Sequence, residues 1–305
     1  ADGASAGITM PGVPGIVGGH NGRIAWTITA AAVDGADLAL IERDPVDSSL
    51  YRHGPDDALK KFTTRVDTIQ IRFGEQHVDT FRTTTRGRVG LPPSLNRFDV
   101  EPDGAQFLEL RDVSFDYRDG LVLSSLRMAH ARSTEQGLRV GALVTYPTIS
   151  FSIADTSGNI GYKTAARIAI RPESHARFVD FAPADDNDRT YLQVQENPRI
   201  FNPPSGRIVT ANQLIIGKNF PHYLSDGFAR PTRAHRIDEV LDGTKAHDVA
   251  SFVAMQNDAV SPVARELLPL MLKVSPADPA DQQLLELLTN WDYKFDPDSV
   301  APTIF

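Results

Sequence analysis

The chain of 305 residues contains no cysteine. That excludes disulfides, a thiolate nucleophile and any cysteine-based metal site. It also lacks an apolar run long enough to span a bilayer. Basic residues are not in excess: the net charge is −8 and is spread along the chain, which argues against a nucleic-acid partner. The eight histidines form no HExxH or other paired metal spacing, and no G-x-S-x-G nucleophile turn occurs. No repeat or low-complexity segment is visible. What remains is an ordinary globular composition, 41% hydrophobic and 23% charged, long enough for a sizeable core in one or two domains. A cysteine-free chain fits an exported enzyme that avoids mispairing, and a cytosolic protein can match it by chance.

Residues 11–29, PGVPGIVGGHNGRIAWTIT, organise the rest. A Gly- and Pro-rich opening gives tight, open backbone. Ile24, Trp26 and Ile28 then alternate with Arg23, Ala25, Thr27 and Thr29, the period of a strand with one buried face. Further strands are expected at 38–43, 62–73, 78–85, 148–153 and 207–211, with 107–117 and 121–127 strands or short helices. A hairpin is expected to turn at 155–159. Asp185, Asp186, Asn187 and Asp188 read as a solvated loop. Helical periodicity marks 134–144, 233–242, 247–257, 263–272 and 281–289, with Asp278 and Asp281 as cap candidates for the last. β-rich first and α-rich last is an α+β pattern.

Four motifs resemble, in order, those of the penicillin acylase family of N-terminal nucleophile hydrolases. They are PG-x-PG-x-x-x-GHN-x-x-IAW from Pro11, AD-x-x-GNIGY from Ala154, NP-x-SG-x-IVTAN from Asn202, and Arg233-x-x-Arg236-Ile237. The resemblance covers roughly residues 5–300 and implies an αββα sandwich, two packed antiparallel sheets with helices outside and a helical segment towards residue 305. In domain terms it implies one partial domain over 1–305, mostly β sheet over 1–232 and mostly helical over 233–305. The strand regions 24–29 and 149–153 are expected to pack face to face in its core. The chain begins at ADGASAG and stops at APTIF, which together with the resemblance leads us to expect an internal fragment of a larger catalytic β chain.

In this family a chain-terminal Ser attacks an amide and its own α-amine, with a reference pKa near ~8, takes the proton. Here Ala1 carries no nucleophile, Ser5 does not stand at the family position, and the attacking Ser is expected upstream. His20 and Asn21 are expected to brace the active-site strand. The resemblance assigns the backbone N–H of Ala30 and the side-chain amide of Asn212 to the oxyanion hole, converging on one point, and Arg233 to the nucleophile's surroundings; Arg236 reads as structural. Gln213 stands where relatives often carry a second Asn, and Arg86 where they carry His. Gly18, Ile28 and Ile149 fall at acyl-pocket positions, the small Gly18 suggesting room for a longer or bulkier acyl chain. The family sets part of its acyl specificity on a helix placed here at 134–144.

Asp34 and Asp37 flank Gly35, and by spacing alone form a solvated turn. The resemblance implies a calcium site made by Asp34, the carbonyl of Ala36 and Asp37, with Asp226 as a weaker further ligand. The implied activity is hydrolysis of a linear amide, with β-lactams, acyl-homoserine lactones, lipopeptides and N-acyl amino acids as candidate substrates. The implied partners are the remaining α and β chains of the same precursor, and the implied compartment is periplasmic or secreted. The competing reading is a non-catalytic acyl-binding or structural relative that has lost its nucleophile.

Overall fold

The computed structural model describes residues 4–90, 106–115, 119–171, 180–181, 190–217, 219–244 and 246–305. The expected acidic loop at 185–188 lies outside them. The strands are β1 (Ala6–Met10), β2 (Val13–His20), β3 (Ile24–Ala30), β4 (Ala36–Arg43), β5 (Leu50–Arg52), β6 (Lys60–Lys61), β7 (Thr63–Ile69), β8 (His77–Thr83), β9 (Arg88–Val89), β10 (Gln106–Asp112), β11 (Ile149–Asp155), β12 (Ile160–Ala165), β13 (Asp180–Phe181) and β14 (Arg199–Phe201). The helices are α1 (Leu121–Met128), α2 (Thr134–Gly141), α3 (Thr232–Asp242), α4 (Val249–Gln256), α5 (Pro262–Met271), α6 (Pro279–Thr289) and α7 (Ala301–Ile304). The chain divides into two compact units, Ala1–Ile208 with Ile216–Phe228, and Val209–Ile215 with Ala229–Phe305.

The first unit holds two sheets. One has the order β1-β2-β3-β11-β12-β14 and is antiparallel throughout. The other runs β6-β5-β4-β10-β9-β8-β7, and β13 joins β4 in a parallel pair, a departure from the expected all-antiparallel layers. The 24–29 and 149–153 regions do not face each other across two layers. They are hydrogen-bonded neighbours, with Trp26 opposite Ile153 and Ile28 opposite Phe151. Equal alternation in both segments put their apolar residues on the same face of one sheet, and periodicity cannot distinguish that from opposed faces.

That shared face carries one of the cores of the unit. Ile24, Trp26, Ile149, Phe151 and Ile153 pack with Met128 of α1 and Leu138 of α2. Each large side chain buried there contributes roughly 1.5–3 kcal/mol. Two glycines let α2 lie close. A Cβ on Gly137 would come within 2.8 Å of Ile153, and one on Gly141 within 2.9 Å of Phe151. Ser133 caps α2 by accepting from Gln136 N–H, and the hairpin's Asp155 accepts from Thr134 N–H at 2.9 Å and from Asn159 N–H at 3.1 Å. Burial pushes the Asp155 carboxyl up, but these hydrogen bonds outweigh it and hold the pKa at about 2.

In the second unit Ala264, Leu268, Leu288, Trp291 and Ala301 form the core. Its helices start where side chains satisfy their first N–H groups: Asp248 and Ser251 make a capping box on α4, Ser261 caps α5 ahead of Pro262, and Asp278 caps α6 ahead of Pro279. Asp281 falls in the first turn of α6 rather than at its cap.

Candidate functional site

The Gly- and Pro-rich opening works by docking α1. Gly15 has φ +98° and lies flat on Ser125, where a Cβ would come within 3.2 Å of the backbone carbon. Ser125 Oγ donates to Pro14 carbonyl at 2.5 Å. Asn21 then pins the far end of the helix. Its amide Nδ2 donates towards the carbonyls of Met128, Ala129 and Ala131, while Oδ1 accepts from the N–H groups of Arg23 and Ile24. His20 is exposed beside it.

Docked this way, α1 closes a small apolar cavity of about 20 Å³. Leu121, Ser124, Ser125 and Met128 line it from one helix face, Ile16 and Val17 from β2, Trp26 and Ile28 from β3, and Ile149 and Phe151 from β11. Ile28 and Ile149 therefore meet in this cavity, while Gly18 is not part of its lining. It faces Ile8 in the β1–β2 pair, with the Trp26 carbonyl as the nearest neighbour of an added Cβ at 3.7 Å. Its small size does not enlarge this cavity. The lining helix is α1, not the segment at 134–144. The 121/124/125/128 spacing was the signal for it, obscured because two of the four residues are serines. A larger depression of about 510 Å³ over β7 and β8, lined by Arg65, Phe81, Arg86 and Arg88, contains none of the candidate residues.

Asn212 and Arg233 are brought together within the second unit. Arg233 Nη2 donates to Asn212 Oδ1 at 2.8 Å and to the Ala211 carbonyl at 2.7 Å. Gripping the amide oxygen fixes which way the NH₂ end points, and polarises its N–H bonds. Residues 207–211, expected as a strand, are irregular. Gln213 explains this: its side chain accepts from Ala211 N–H at 2.6 Å and donates to Val209 carbonyl at 2.9 Å, supplying in place of a neighbouring strand what a ladder would. Asn212 itself has φ +65°, which ends any extended run. Arg236 forks onto Asp258, with Nε to Oδ1 at 3.0 Å and Nη2 to Oδ2 at 2.6 Å, a structural brace. Ala30, in the first unit, is the exposed last residue of β3, opposite Ile149.

Asp34 and Asp37 flank the start of β4, and between them lies a residue sequence reasoning missed. Arg171 donates from Nη1 to the Asp34 carbonyl at 2.9 Å. The same nitrogen is 3.8 Å from Asp34 Oδ2, and Nε is 3.0 Å from Asp37 Oδ1, an ion pair without directed hydrogen-bond geometry. The guanidinium side chain is only 7% exposed. Burial, then the charges of Asp226 and Asp34, raise the pKa of Tyr223. Among the described residues no group of three His, Asp or Glu side chains could hold a metal ion. With the Arg171 guanidinium in place, Asp34 and Asp37 do not offer calcium the six to eight oxygens it takes.

The sheets and helices define the class, an α+β fold. The structure of thermostable penicillin G acylase from Alcaligenes faecalis matches 97% of this chain and 53% of that one, with a TM-score of 0.75 at 21% identity. The family model described as Penicillin amidase matches residues 2–305, so the chain belongs to the penicillin amidase family. Penicillin acylase 2 proenzyme of Pseudomonas sp. (strain SE83) is 29% identical over 98% of this chain and 38% of its own length. Acyl-homoserine lactone acylase QuiP of Pseudomonas fluorescens (strain Pf0-1) is 26% identical over 92% and 34%, and penicillin G acylase of Escherichia coli 26% over 92% and 32%. The chain thus spans about a third of the length of these curated relatives.

Proposed function

We propose that this chain is the central part of the catalytic subunit of an amidohydrolase that cleaves a linear amide into an acyl group and an amine. The observation that carries the reading is Arg233 holding the Asn212 amide by its oxygen. An amide so held is a preorganised hydrogen-bond donor, which is what a tetrahedral oxyanion requires. The family resemblance assigns the second donor to the backbone N–H of Ala30. The nucleophile is a chain-terminal Ser of the same precursor, outside the present sequence. Its Oγ attacks the amide carbon, its α-amine takes the proton and delivers it to the departing amine, and water then releases the acyl group from the ester.

The apolar side chains around the small cavity under α1 border the acyl site; at about 20 Å³ the cavity itself holds no more than about one water, so α1 has to shift to admit an acyl chain, with penicillin-type β-lactam amides and acyl-homoserine lactones as the leading substrate classes, following the names of the relatives. The 305 residues alone hydrolyse nothing, because they contribute no attacking group. The remaining chains of the precursor are its partners, and its compartment is periplasmic or secreted, which a cysteine-free chain fits. Among the described residues no helix is long and apolar enough to cross a membrane.

Substituting Asn212→Ala in the complete enzyme tests the reading. Removing one oxyanion donor lowers kcat by roughly 100-fold or more. KM changes less, because the donor matters most when charge develops. A kcat near that of the wild type, in a folded variant, refutes the assignment and favours a binding relative.

A further inference from the structure

We infer that the guanidinium of Arg171 is the resident cation of the Asp34–Asp37 turn, and that the chain holds this turn without calcium. Three contacts define the arrangement: Nη1 on the Asp34 carbonyl at 2.9 Å, Nη1 facing Asp34 Oδ2 at 3.8 Å, and Nε against Asp37 Oδ1 at 3.0 Å. They engage a backbone carbonyl and two carboxylates of one turn, the same kinds of oxygen a calcium ion would need.

An ion bound to both carboxylates at about 2.3–2.6 Å would sit beside the guanidinium, like charge against like charge. Arg171 would then have to leave a position in which its side chain is only 7% exposed. A guanidinium cannot neutralise itself by losing its proton, so it cannot make way by titration. Its neighbours also suit a fixed internal group. Asp34 N–H donates to the Leu224 carbonyl at 2.8 Å, and Ala31, Val33, Ile168 and Leu224 form one apolar cluster beside it. The turn after β3 is therefore tied by an ion pair to the segment that follows β12.

The complete enzyme, dialysed against EDTA, is melted in EDTA and in millimolar calcium chloride, and its bound metal is counted by elemental analysis before dialysis. The wild type is expected to melt at the same temperature in both and to carry no stoichiometric calcium. Arg171→Met is expected to melt lower in EDTA and to recover in calcium, because removing the guanidinium leaves the carboxylates open to an ion that binds only the native state. Calcium-dependent melting of the wild type, or one calcium per chain, overturns the inference, as does an Arg171→Met variant that melts like the wild type. If Arg171→Met does not fold, the wild-type measurements decide alone.

Discussion

Replacing Asn21 by Ala removes the side chain that joins the opening turn to α1. Its Nδ2 carries two hydrogens and faces three carbonyls, at 3.2, 3.1 and 2.8 Å, while Oδ1 accepts two N–H groups at 2.9 Å each. At most two donated and two accepted bonds are lost at once. At a net ~0.5–1.5 kcal/mol each, discounted because the site is only partly buried and water can replace some of them, the loss is about 3 kcal/mol. For a unit of this size that lowers Tm by about 6–12 °C. Asn21→Asp separates the two halves of the interaction. It keeps the acceptor but places a carboxylate against three carbonyls at the negative end of α1, so it should be at least as damaging as Ala. Thermal melting followed by circular dichroism reads both variants, and amide exchange at Met128 and His130 localises the effect to the end of α1. If Asn21→Asp melts like the wild type, the Nδ2 donations carry no stability and the account of how α1 is docked is wrong.

Arg233→Ala in the complete enzyme should lower kcat by roughly 10–100-fold with a smaller change in KM, since the Asn212 amide loses the group that aims it; an unchanged kcat separates Arg233 from catalysis. Glu109 is fully buried against His53, Thr84 and Arg111. Burial pushes its carboxyl up, but those hydrogen bonds win and hold the pKa at about 2, against an ordinary value of 4.5. A depressed carboxylate stabilises the fold fully above the unfolded value and loses that stability as pH falls towards about 2, a contribution on the order of 3 kcal/mol. Urea melts between neutral pH and pH 3 should show this acid limb, and Glu109→Gln should flatten it. Gly137→Ala sets helix propensity, worth about 1 kcal/mol in favour, against overpacking of ~1–3 kcal/mol. The new Cβ meets Ile153 at 2.8 Å and Ile24 at 3.4 Å, both themselves buried, so net destabilisation is expected. A stabilised variant would show that α2 can lift off β11.

Elements whose signal is local were legible in the sequence. Alternation at Ile24, Trp26 and Ile28 produced β3, and helical periodicity together with the cap candidate Asp278 produced α6 within two residues of its start. These depend on side chains a few residues apart, so sequence spacing carries them. The order of the four motifs likewise carried the family. Only the tertiary structure decided which segments share a sheet, because pairing β3 with β11 joins residues more than a hundred positions apart and leaves no periodic trace in either. It also decided that 207–211 is no strand, since Gln213 satisfies that backbone from the side. It decided that α1 lines the cavity and Gly18 does not, and that Arg171, a charged residue in no recognised motif, closes the turn of Asp34 and Asp37. Each of these is a contact between distant parts of the chain, fixed by packing and charge in three dimensions rather than by neighbours in sequence.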